Sequence, residues 1–176
     1  MKSNILLYLV SSVCSLNGGI VPSDFPVPPQ SKKTLFYIHR SPNPNTVVYE
    51  VNLTANNTIN PKNPVKVYWI RYGEQGQYRE LNYLERTFAY GVKISAINSV
   101  KYKVQFVASK EKSWIVSIDE KGQAWASMTI SGCQSRLTKI FVQVAEDGWW
   151  PSVAYVEFFG VDIKTQKATY EKMLIT

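Results

Sequence analysis

His39 is the only histidine in the chain, so any serine- or cysteine-based nucleophile would have to use it as the base. Ser41, Cys133 and several carboxylates are present, but linear sequence does not bring any of them to the ring. A histidine at a strand end also serves as a hydrogen-bonded structural residue. There are two cysteines, Cys14 and Cys133. Cys14 falls in a targeting segment, so the mature chain is expected to keep one cysteine and form no internal disulfide. Cys133 then reads as a small apolar residue. The sequence contains no phosphate-binding glycine loop, no H-E-x-x-H, no G-x-S-x-G, no paired C-x-x-C and no calcium loop. One histidine cannot build a multi-histidine zinc site. No metal and no cofactor is expected.

The remaining chemistry-bearing residues are aromatic and ionic. Trp149 and Trp150 stand side by side before Pro151, in what reads as a turn. Exposed aromatic pairs stack on sugar rings or partner proteins, whereas buried ones plug the end of a barrel. Arg71 shares a strand face with Val67 and Trp69, and its guanidinium suits an anionic group. In residues 34–41, one face carries Leu35, Tyr37 and His39 and the other Phe36, Ile38 and Arg40. Whichever face points inward brings His39 or Arg40 toward the interior. Glu50 and Glu157 sit in strands in the same way. The ligand-binding candidates are His39, Arg71, Tyr90, Trp149 and Trp150.

These residues must be positioned by strands. Period-two alternation predicts strands at 34–41, 46–52, 66–72, 92–97, 101–108, 114–119, 124–131, 138–145, 153–162 and 168–174. Glu120-Lys121-Gly122-Gln123 and Lys164-Thr165-Gln166-Lys167 read as hairpin turns. Residues 79–88 break the alternation. Leu81, Leu84 and Phe88 fall on one helical face, which predicts a short amphipathic helix over one end of the sheet. The fold class is mostly β: an antiparallel barrel or sandwich of about 8–10 strands with that one helix. No fixed repeat is present, and 176 residues make one domain.

Residues 1–19 have the layout of a secretory signal peptide: Lys2, then an apolar core from Ile5 to Val13, then small residues. Lipoprotein anchoring through Cys14 is less favoured, because Ser11-Ser12-Val13 fits such a site poorly. Residues 20–33 hold four prolines and read as a linker, and 34–176 as the β domain. No later stretch approaches the roughly 18 apolar residues of a membrane helix. The net charge of +7 is scattered rather than striped, which argues against nucleic acid as the partner.

Phe36-Tyr37-Ile38-His39-Arg40-Ser41, Asn45-Thr46-Val47-Val48-Tyr49-Glu50, Pro64 to Tyr72, Leu81-Asn82-Tyr83 and Phe88-Ala89-Tyr90-Gly91 form an ordered set of blocks. Together they resemble an uncharacterised family of secreted bacterial proteins, a domain of unknown function, over most of the mature chain. The resemblance implies export and carries no activity or catalytic residue. The expectation is a monomeric binding or structural module of the bacterial envelope, secreted or periplasmic, engaging a small molecule, a glycan or an envelope protein. The alternative is a secreted hydrolase using His39 as base.

Overall fold

The computed structural model describes residues 25–109, 111–145 and 152–175. Eleven strands form one sheet: β1 Thr34–Arg40, β2 Asn43–Val51, β3 Val65–Arg71, β4 Gln77–Glu80, β5 Val92–Asn98, β6 Lys101–Phe106, β7 Ser113–Ile118, β8 Ala124–Ile130, β9 Cys133–Ala145, β10 Ser152–Asp162 and β11 Ala168–Leu174. The sheet curls into a half-barrel and does not close.

The 13-residue β9 organises it. Along one edge, its first half pairs with β8 and its second half pairs with β1. Along the other edge it pairs with β10, which carries β11. Two arms therefore leave the same edge of β9, one running β1-β2-β3-β4 and the other β8-β7-β6-β5. The β1–β9 pair is parallel, so the expected wholly antiparallel sheet is corrected at that one ladder. Alternation along a strand reports burial and not the direction of its neighbour, so this pair was not legible locally.

The arms fold toward each other over the concave face. Phe36 and Tyr49 from one arm meet Phe106 and Trp114 from the other. Phe36 stacks on Tyr49 with centroids 4.5 Å apart and meets Trp114 edge-on at 5.0 Å. All four rings are buried. Val47, Val104, Val116, Ala126, Leu137 and Ile140 continue the core around them. Gly160 lies where β10 shifts register against β9, and a Cβ there would sit 2.6 Å from the Arg136 carbonyl oxygen.

The helix differs from expectation. Gln77–Glu80 is a strand, with Arg79 opposite Trp69, and the helical segment is only 83–89, π-helical over Glu85–Ala89. Asn82 and Glu85 cap it reciprocally: Asn82 Oδ1 accepts from the Glu85 amide at 2.9 Å and Glu85 Oε2 from the Asn82 amide at 2.8 Å. That box starts the helix after Leu81. Leu81 is buried, but Tyr83, Leu84 and Phe88 are 77%, 64% and 69% exposed. The apolar spacing was real, yet the turn is too short to lay its stripe on the sheet.

Within 20–33, read as a linker, the described part from Phe25 lies on the convex face of the sheet. Pro28 is fully buried, and the Lys33 and Lys32 carbonyls accept from the Val51 and Ala124 amides. Cys133 is disulfide-bonded, which corrects the expectation of a lone thiol. The other cysteine of the sequence, Cys14, lies outside the described residues.

Two outcomes follow from this architecture. Phe36→Ala removes the ring on which both arms converge and should cost about 3–5 kcal/mol in urea unfolding. A loss under about 1 kcal/mol would contradict the packing. Alkylation of the native protein should leave Cys133 unmodified until a reductant is added, as read by peptide mass.

Candidate functional site

The aromatic cluster fills one end of the half-barrel and leaves the other end open as a groove of about 680 Å³. Register places its floor in two rungs. Ile38, Ile140 and Phe158 lie side by side, and Arg40, Val142, Val156 and Met173 form the next rung. Phe106 links the groove to the aromatic cluster, while Phe88, Leu174 and Ile175 form exposed apolar lips. The volume falls in the range of small-molecule sites.

Polar groups enter at two corners. Arg40 ends β1 beside Tyr90. Burial raises the Tyr90 phenol above its ordinary pKa, and the Arg40 guanidinium partly offsets that shift. Among the described residues, Arg40 has no carboxylate at ion-pair distance. At the diagonal corner Lys112 pairs with Glu171 and lies over the Phe158 ring. Glu171 also accepts the Ser131 amide at 2.7 Å.

Tyr90 reaches the groove through the helical turn. Its amide donates to the Glu85 carbonyl, its own carbonyl accepts from Tyr49 Oη at 2.7 Å, and its ring meets Trp69 edge-on at 5.0 Å. Glu85 secures the turn from below by accepting from Arg79 Nη2 at 2.5 Å. Burial raises the Glu85 pKa, but the Asn82 amide and Arg79 outweigh it, so the carboxyl ends below its ordinary value. Gly91 follows so closely that a Cβ would overlap the Arg86 carbonyl oxygen, at 1.7 Å.

The sequence candidates separate. Tyr90 lines the groove. His39 projects from the opposite face of β1, where it is 2% exposed. There its ring stacks on Phe25 at 5.1 Å, and its Nε2 donates to the Pro26 carbonyl at 3.0 Å. Among the described residues its buried Nδ1 has no hydrogen-bond partner. Thr46 donates to the same Pro26 oxygen at 3.4 Å. Ser41 bonds instead to Gln143, and Cys133 is in a disulfide, so neither serves the ring. Burial lowers the His39 pKa, and the Lys139 ammonium lowers it further, against the raising effect of the Pro26 bond. Arg71 is paired with Glu74 at the end of β3, outside the groove lining. Trp149 and Trp150 lie outside the described residues.

Glu157, considered for the interior, instead lies on the convex face. It is buried there and accepts from Tyr170 Oη at 2.6 Å. Burial and that bond push the Tyr170 phenol up to about 12. Lys139 on the same face is lowered by burial, with Glu157 partly opposing the shift. Lys112 and Arg40 both line the groove and both stand outside the candidate set; Arg40 is the one the local pattern pointed to. Its signal was in the sequence as the parity partner of His39, since one of the two had to face inward.

Among the described residues no group of three or more His, Cys, Asp or Glu is arranged to hold a metal ion. No described helix is long and apolar enough to cross a membrane. The family model described as Domain of unknown function (DUF4833) matches residues 36–172, and the chain belongs to that family. No curated protein and no solved structure matches it.

His39 generates a pH test. Its folded pKa lies below the unfolded value of about 6.5, so the unfolded chain binds the proton more readily. Its stabilising contribution is full above that value and is lost as pH falls below it. The melting temperature should therefore drop between pH 7.5 and pH 5.5, and His39→Leu should flatten the drop. Equal slopes in the two proteins would refute the assignment.

Proposed function

We propose that this member of the DUF4833 family is an exported binding module of the bacterial envelope that holds a small ligand in the concave groove. One observation carries the reading: an open, mainly apolar cavity with a cation and a phenol at one corner and, among the described residues, no carboxylate at ion-pair distance from that cation. A solvent-facing apolar hollow of this size is costly to leave wet, and a ligand would cover it. Export is supported by the disulfide at Cys133, since such bonds persist in oxidising compartments.

The hydrolase alternative is not favoured. A base must reach the proton it takes. His39 faces away from the groove, spends Nε2 on a backbone carbonyl, and has no nucleophile beside it among the described residues.

Native mass spectrometry of the protein from its own host tests the proposal. The expected result is a mass excess that disappears on denaturation. Val142→Trp, which fills the groove floor, should abolish the excess while keeping the fold by circular dichroism, and His39→Leu should keep it. A bare wild-type mass, or an excess that survives Val142→Trp, would overturn the reading.

A further inference from the structure

We propose that the groove selects an amphiphile with an anionic head and an unbranched apolar tail, of which a medium-chain carboxylate is the simplest case. The inference rests on the binding reading and adds the chemistry of the ligand. The polar and apolar parts of the cavity are segregated. Arg40 and Tyr90 occupy one corner; Ile38, Ile140, Val142, Val156, Phe158 and Met173 form a continuous apolar floor from there.

The charges decide the polarity of the head. The cation at the far corner, Lys112, is already neutralised by Glu171, and Glu111 beside it is exposed. Arg40 is the groove cation without a carboxylate among the described residues, and its guanidinium presents parallel donors that match a carboxylate. From Arg40 on β1 to the Lys112–Glu171 pair at β11, the floor crosses three strand spacings, about 14 Å. A tail laid across the strands has that length of apolar surface and then meets a closed ion pair, which offers it no polar anchor. A ligand charged at both ends, or a polar sugar, would leave this floor unmatched. The exposed lips Phe88, Leu174 and Ile175 extend the apolar surface over the tail.

The test uses the neutral fluorescent probe N-phenyl-1-naphthylamine, displaced by decanoate or by decanol. Wild type should bind the probe and should favour decanoate over decanol by about tenfold or more, the scale of one charge-assisted contact. Arg40→Gln should bring the two competitors to within about twofold of each other, each read relative to that variant's own affinity for the probe. Arg40→Lys keeps the charge and should keep a preference for decanoate, which controls for a folding defect in the glutamine variant. Equal affinities in wild type, or a preference that survives Arg40→Gln, would overturn the head-group assignment while leaving the groove as a binding site. No displacement by either compound overturns the inference. If native mass spectrometry also finds a bare chain, the binding reading falls with it.

Discussion

Phe36, Tyr49, Phe106 and Trp114 meet from strands that lie on different arms of the sheet, and their contact holds the half-barrel curled. Phe36 touches each of the other three, with centroids 4.5–6.1 Å apart. Large rings bury much apolar area each, and edge-on geometry adds to that. Besides this contact the arms are joined at the edge of β9 and by the Ala124 amide, which donates to the Lys32 carbonyl. The cluster also carries function outward: Tyr49 donates to the Tyr90 carbonyl, and Phe106 forms the inner wall of the groove. The core and the candidate site are thus two ends of one lumen, one filled and one open.

The length of β9 makes the arrangement possible. A strand of ordinary length would pair with one neighbour on each edge. With 13 residues β9 accepts β8 and then β1 on the same edge, and the arms diverge from that junction. Register shifts in β1 and β10, with Gly160 tucked against Arg136, take up the local curvature. The groove floor is built on β1, β9, β10 and β11, the part of the sheet that this junction supports. A site on paired strands is held more precisely than one on loops.

The two faces of those four strands have separate chemistry. The concave face is mainly apolar, with Arg40, the Lys112–Glu171 pair and a buried hydrogen bond from Thr169 to Ser135 as its polar elements. The convex face is a lattice of rings and charges: His39 under Phe25, Glu157 on Tyr170, Lys139 over Phe159 and Lys172 over Tyr155. Residues from Phe25 to Pro28 cover part of it and supply the carbonyl that His39 binds. Polar groups on this face are largely satisfied by one another, so its histidine and its buried glutamate have structural partners rather than open reaction space.

Local sequence determined the strands. Ten of the eleven follow from alternation, because a half-buried strand must alternate and each hairpin turn needs its glycine or polar residues. β4 was missed: Gln77–Glu80 is short and polar, with no apolar alternation to mark it. The parity of residues 34–41 also narrowed the inward charge to His39 or Arg40. Tertiary structure alone decided which, since the choice depends on the face the other arm covers. It likewise decided that β1 runs parallel to β9, that the helical turn leaves Leu84 and Phe88 in solvent, and that Cys133 is bonded. Each of these turns on contacts between residues distant in the chain. Periodicity records how a residue is buried, and it carries no information about what buries it.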